Sequence, residues 1–129
     1  MKIRINGNAI RYRLSKTDIT NFGTAGFVEE KTEFANGVSF HYRLEKKKDI
    51  ENPEASFSGN GISIFVPEKL VAGWPTNDIV GFENRMEIGE GKSLLLLIEK
   101  DFVCLDETTD DQSYNYENPN KPVKRERRK

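Results

Sequence analysis

Four basic side chains near the start of the chain have the type and spacing best suited to binding chemistry. Lys2 and Arg4 precede the turn-forming pair Asn6-Gly7, and Arg11 and Arg13 follow it. Because side chains alternate between the two faces of a strand, a hairpin brings all four to one face. Ammonium and guanidinium groups bind carboxylates and phosphates. We therefore expect this basic face to bind an acidic group.

The predicted hairpin also creates a repulsion that something must offset. A two-residue turn at Asn6-Gly7 sets Lys2 directly opposite Arg11, and facing like charges destabilise a sheet. A phosphate, an acidic protein partner, or carboxylates of the same chain could supply the opposite charge. Nucleic acid is the less favoured external partner, because no aromatic residue is predicted on the same face as these cations.

Few other residues offer catalytic chemistry. Glu30 is predicted on the apolar face opposite Tyr42, where a carboxylate is a candidate general acid or base or simply a hydrogen-bond partner of the tyrosine. His41, the single histidine, is predicted on the wet face, and Cys104, the single cysteine, lies in an apolar run typical of an inert thiol. We assign no catalytic residue and expect no enzyme.

Cofactor and metal motifs are not found either. One cysteine and one histidine exclude a zinc site and an intrachain disulfide. The acidic segment, defined as Asp106, Glu107, Asp110 and Asp111, lacks the spacing and the glycine of a calcium-binding EF-hand loop. No glycine-rich phosphate loop occurs. We predict neither a cofactor nor a metal.

These residues must be positioned by a mainly β fold. Alternating apolar residues and glycine-containing turns predict a small antiparallel β-barrel or sandwich with two short helices. The helices are predicted at 16–22, ending at Gly23, and at 67–73. Strands are predicted in the hairpin at 1–14 and at 26–34, 38–45, 56–59, 61–66, 79–88 and 92–105. A three-residue loop, Ala35-Asn36-Gly37, gives the second hairpin a consistent apolar face.

The charge pattern divides the 129 residues into a domain and a tail. Residues 1–106 are predicted to form a single β domain, and residues 107–129 a loosely held charged tail that ends in a basic run. The first residues lack the apolar run of a signal peptide, and the run Leu94–Ile98 is too short to span a bilayer. The net charge of −1 and the lone thiol indicate a cytoplasmic protein without membrane partners. The oligomeric state stays open.

The two halves of the domain repeat a pattern. Residues 10–46 correspond to residues 62–100 at an offset of 52, which becomes 54 after the hairpin turn. A β-α-β-β unit cannot cover its own apolar face, so two units would close on each other. The pattern predicts a tandem duplication of such a unit.

Two resemblances accompany these patterns. The opening Met1–Asn8, the segment Gly26–Thr32 and the segment Asp101–Leu105 resemble a family of small bacterial proteins known only as a domain of unknown function, which implies no activity. The segment Ile62–Leu70 with Asn77–Val80 is similar in shape to the swapped-hairpin DNA-binding regulators and antitoxins of AbrB type, although that family has Gly-Asp where this chain has Asn77-Asp78. We therefore predict a non-enzymatic interaction module that uses Lys2, Arg4, Arg11 and Arg13, with a DNA-binding regulator as the alternative.

Overall fold

A computed structural model describes residues 1–102, which form eight strands and two short helices. The strands are β1 (Lys2–Ile5), β2 (Ala9–Leu14), β3 (Phe27–Glu33), β4 (Ser39–Lys47), β5 (Glu54–Ser58), β6 (Gly61–Pro67), β7 (Gly81–Gly89) and β8 (Lys92–Lys100). The helices are α1 (Lys16–Ala25) and α2 (Glu68–Val71), and single 3₁₀ turns occur at Ala35–Gly37 and Trp74–Thr76. The predicted tail, the acidic segment and Cys104 lie outside the described residues.

The strands form two four-stranded sheets that pack as a sandwich. The first sheet has the order β1-β2-β8-β7 and the second the order β3-β4-β6-β5. The mainly β sandwich with two short helices is therefore confirmed, and the strands of residues 1–102 do not close a barrel. The prediction of purely antiparallel sheets needs a correction, because β2 runs parallel to β8 and β4 runs parallel to β6.

The parallel pairs lie where one hairpin joins another within a sheet, and the chain crosses between the sheets after each helix. The hairpin β1–β2 joins the hairpin β7–β8, and the hairpin β5–β6 joins the hairpin β3–β4. Each half of the chain therefore gives one hairpin to each sheet, and both halves contribute to one core. The described elements follow the same order in both halves, and the duplication itself stays a prediction.

The first hairpin keeps its predicted faces but not its predicted turn. Gly7 has a φ of 58°, and the amide of Asn6 donates to the carbonyl of Ala9 at 3.0 Å, so the turn is Gly7-Asn8. A glycine at the first central position is typical of a type II′ turn. The register moves by two residues, and Arg4, not Lys2, lies opposite Arg11.

The second hairpin has the predicted register. Glu29 pairs with Arg43 and Glu30 with Tyr42, and the loop Ala35–Gly37 joins the strands. Gly37 has the left-handed backbone typical of the last residue of such a loop, with a φ of 74°, and Asn36 is also left-handed, with a φ of 63°.

Helix α1 is longer than predicted. Ser15 caps its start in a capping box with Asp18, and Gly26, not Gly23, ends it in a left-handed conformation with φ of 90°. Gly23 lies inside the helix at its contact with the second 3₁₀ turn, where an added Cβ would come within 3.2 Å of Pro75 Cγ. Its small size serves helix packing and not helix termination.

The core lies between the sheets and beneath α1. Its largest fully buried side chains include Trp74, Tyr12 and Phe22. The rings of Phe22 and Trp74 meet edge to face at 6.4 Å between centroids. A lysine covers each of these rings from the end of a strand, because Lys46 Nζ lies 5.9 Å from the Phe22 centroid and Lys100 Nζ lies 5.9 Å from the Trp74 centroid.

Candidate functional site

The basic face, which consists of Lys2, Arg4, Arg11 and Arg13, lies on the outer surface of β1 and β2. The intervening residues of both strands point into the sandwich, and Ile10, Tyr12 and Leu14 are buried there. Burial of that alternate set therefore fixes the direction of all four cations. Lys2 and Arg4 are exposed, whereas Arg11 and Arg13 are half-buried.

Carboxylates of the same chain neutralise part of the basic face. Lys2 Nζ lies 3.2 Å from Asp101 Oδ2, and Glu99 Oε1 lies 3.5 Å from Arg11 Nε and 4.0 Å from Arg13 Nε. Glu99 belongs to β8, which pairs with β2 and sets Glu99 beside Arg13. These two acids were not singled out from the sequence, although Glu99 follows the buried Ile98 and so had to point outward.

Arg4 and Arg11 keep binding capacity that the described chain does not use. They lie directly opposite each other in the register of β1 and β2. Within residues 1–102, Arg4 takes part in none of the ion pairs. Arg11 Nε is shielded from solvent and has no hydrogen-bond acceptor in the described chain, although Glu99 attracts it electrostatically. A carboxylate or phosphate between the two guanidinium groups would accept hydrogen bonds from both.

An aliphatic strip borders these guanidinium groups. Leu97 is the partner of Arg11 in the pairing of β2 with β8, and Leu95 is the partner of Ala9. Both leucines are half-buried on the outer surface of the first sheet. The site therefore combines paired cations with apolar surface, a chemistry that suits a peptide carrying both carboxylates and apolar side chains.

Glu30 has a structural partner that the sequence did not predict. Its Oε2 accepts a hydrogen bond from the Met1 ammonium at 2.9 Å, and Asp18 Oδ2 lies 2.8 Å from the same nitrogen. Tyr42 Oη donates to the Met1 carbonyl at 2.8 Å and not to Glu30. The three side chains hold the first residue against the second sheet.

The pKa values of the groups around the Met1 ammonium result from burial and hydrogen bonding, which act in opposite directions on Met1 and Asp18. Burial alone would lower the pKa of the Met1 ammonium, but its hydrogen bonds to Asp18 and Glu30 outweigh burial, and the pKa is raised. Burial would raise the pKa of Asp18, but the hydrogen bonds from the Met1 ammonium and from Ser15 together outweigh burial, and the pKa is lowered. Burial, helped by the charge of Glu30, raises the pKa of the Tyr42 hydroxyl. The shifts favour the charged forms of Met1 and Asp18, as expected of a structural ion pair, and the neutral form of Tyr42.

His41 lies on the outer surface of the second sheet, as predicted. Its ring covers Gly61 so closely that a Cβ added to that glycine would lie 2.1 Å from His41 Nε2. Its strand neighbour is Lys31. Among residues 1–102, no group of three or more histidine, cysteine, aspartate or glutamate side chains could hold a metal ion.

A concave feature lies at the helix end of the sandwich, outside the basic face. It is an open cavity of about 680 Å³ between α1, the second 3₁₀ turn and the end of β8. Lys100 Nζ donates to the Asn77 carbonyl in its wall at 2.7 Å, and Asp101 and Phe102 complete the lining. Thr17, Thr20 and Thr76 also face it. The basic face does not share these residues, apart from the contact of Lys2 with Asp101.

Comparison with known proteins supports a family but no activity. No helix in the described part of the chain has the length and apolar character needed to cross a membrane. No curated protein and no solved structure matches the chain. Residues 1–120 match the model of a family of unknown function, DUF7009. The chain therefore belongs to the DUF7009 family.

Proposed function

We propose that this protein is a non-enzymatic binding module whose basic face takes an acidic segment of a partner protein. The observation that carries the proposal is the pair Arg4 and Arg11, directly opposed on neighbouring strands. Two facing guanidinium groups repel each other, and an anion bound between them removes that repulsion. The exposed Arg4 leaves the pair accessible from solvent.

An acidic peptide fits the surroundings better than nucleic acid. Glu99 and Asp101 already neutralise Lys2, Arg11 and Arg13 in part, so few cations remain for a phosphate backbone. Binding to duplex DNA relies on several phosphate contacts made together. The aliphatic surface of Leu95 and Leu97 offers contacts that a peptide side chain can use and a phosphate backbone cannot.

We also propose a cellular compartment and an evolutionary origin for this protein. A single cysteine suits a reducing compartment, so we propose a cytoplasmic protein. The resemblance of Met1–Asn8, Gly26–Thr32 and Asp101–Leu105 to small bacterial proteins leads us to propose a bacterial origin. We propose further that the domain arose by duplication of a β-α-β-β unit. The matched lysine–ring contacts of Lys46 with Phe22 and Lys100 with Trp74 support that origin.

Binding of defined anionic probes tests the proposal. We would measure the affinity of the full chain for a fluorescent acidic peptide and for mixed-sequence duplex DNA, each at low and at physiological salt. The same measurements use the variants Arg4→Ala/Arg11→Ala and, as a control of equal charge change, Lys31→Ala/Lys48→Ala. Both control lysines are exposed and lie away from the basic face, Lys31 in β3 and Lys48 directly after β4.

The expected result is salt-sensitive peptide binding that the arginine variant loses and the lysine variant keeps. Tighter binding to DNA than to the peptide, lost in the same arginine variant, would replace the proposal with the DNA-binding regulator. Equal losses in both variants would show that only overall charge matters and would refute a defined site.

A further inference from the structure

The chain leaves the described domain beside the basic face. The amide of Asp101 donates to the carbonyl of Leu14 at 2.8 Å, which carries the end of β8 past the end of β2. Asp101 then meets Lys2, the first residue of β1, at 3.2 Å. A carboxylate of the outgoing chain is therefore already in contact with one member of the basic face.

The next carboxylates in the sequence are those of the acidic segment. Asp106 follows Asp101 by five residues, and five extended residues span up to about 17 Å. The row of Arg4 and Arg11 lies two residues along the strands from the row of Lys2, a step of about 7 Å. The four acids of the segment are thus within reach of the two guanidinium groups.

We propose that the acidic segment (Asp106, Glu107, Asp110 and Asp111) occupies the basic face of its own chain and competes there with the acidic partner. The opposite charges and the exit point of the chain beside Lys2 support this occupant over a second copy of the chain. The region matched by the family model, residues 1–120, includes the whole segment. This inference rests on the proposed function, since both use the same face.

A tether makes such competition effective even when the contact is weak. A short linker gives an effective concentration on the order of 1 mM. If the isolated segment binds with a Kd of about 0.1–1 mM, the tethered segment lowers the apparent affinity of an external peptide about two- to tenfold. Salt should reduce the effect, because the Debye length shortens from about 10 Å at 0.1 M to about 3 Å at 1 M.

The first test measures affinity with the full chain. The acidic segment is neutralised by Asp106→Asn, Glu107→Gln, Asp110→Asn and Asp111→Asn. A control makes the same charge change on exposed acids elsewhere, with Glu33→Gln, Glu54→Gln, Glu68→Gln and Glu90→Gln. We expect the segment variant to bind a fluorescent acidic peptide about two- to tenfold more tightly than the control variant. Equal affinities of the two variants would overturn the inference.

The second test needs no external partner. A fluorophore is attached at Ser113→Cys in a Cys104→Ser chain, so that it reports on the chain just after the acidic segment. We expect its anisotropy to fall in high salt and in the Arg4→Ala/Arg11→Ala variant, and to stay high with Lys31→Ala/Lys48→Ala. An anisotropy that is the same in all three chains would refute the contact.

The two tests separate this inference from the proposed function. A salt- and arginine-dependent anisotropy with no peptide binding by any variant supports the intramolecular contact and refutes the partner. Peptide binding that depends on Arg4 and Arg11 but not on the acidic segment supports the partner and refutes the intramolecular contact.

Discussion

Replacing Glu99 with glutamine should weaken the fold and strengthen anion binding at the same time. Glu99 Oε1 lies 3.5 Å from Arg11 Nε and 4.0 Å from Arg13 Nε. At an effective dielectric constant of about 20, the first contact alone has a gross attraction of about 5 kcal/mol. Desolvation and lost side-chain freedom reduce a partly exposed pair to about 0.2–1 kcal/mol. The side chain of Glu99 is 26% exposed, so we expect a net loss near the middle of that range for each pair.

We therefore expect Glu99→Gln to lower the free energy of unfolding by about 1 kcal/mol, as measured by urea denaturation at neutral pH. Binding should change in the opposite direction, because the substitution removes a negative charge about 7 Å from a bound anion. In water that repulsion is worth about 0.6 kcal/mol, or about a threefold gain in affinity for an acidic peptide at low salt.

The opposite signs of the two effects make this prediction selective. Glu54→Gln is the matched control, since it makes the same charge change on an exposed acid of the second sheet. That control should alter neither stability nor affinity by comparable amounts. A Glu99→Gln chain that is less stable but binds the peptide no better than Glu54→Gln would mean that the basic face is not the binding site.

Three further predictions concern the fold that supports the site. Asp18→Asn should lower the free energy of unfolding by about 1 kcal/mol in protein that starts at Met1. Because the pKa of Asp18 is lowered from 3.8, its contribution is present above that pH and is lost as the pH falls below it, so urea denaturation should show the gap between variant and parent closing in acid. Tyr42→Phe should cost about 1 kcal/mol through the lost hydrogen bond to the Met1 carbonyl, and an unchanged urea midpoint would contradict this. Gly81→Ala should cost about 1–3 kcal/mol, since its Cβ would come within 2.2 Å of the Ile98 carbonyl oxygen. Thermal unfolding of Gly81→Ala beside Ser58→Ala, on an exposed edge position, checks the last value.

Local patterns determined the strands and their faces. In the first hairpin, the alternation of Ile3, Ile5, Ile10 and Tyr12 with the cations predicted the apolar face. Ile10 and Tyr12 are buried and Ile3 packs against the core, whereas Ile5 is exposed. A register error of two residues left this result unchanged, because side chains repeat their face every second position. The register of the second hairpin was predicted correctly, since only one register gave it a consistent apolar face.

The turn position in the first hairpin and the end of α1 were harder to predict from the sequence, because glycines there allow more than one arrangement. Gly7 supports a turn as either its first or its second central residue, and the sequence did not distinguish Asn6-Gly7 from Gly7-Asn8. Gly23 and Gly26 could each end α1. The helix continues to Ala25 and ends at the left-handed Gly26, and Gly23 lies where Pro75, 52 residues away in sequence, leaves little room for a side chain.

The composition of the candidate site depended on the tertiary structure. The sequence by itself determined that four cations share one face, because that follows from the two-residue period of a strand and the burial of the alternate residues. Which acids neutralise them followed from the parallel pairing of β2 with β8, which brings Glu99 beside Arg13. That pairing joins residues more than 80 positions apart and depends on how hairpins from the two halves combine in one sheet, which no local sequence pattern specifies.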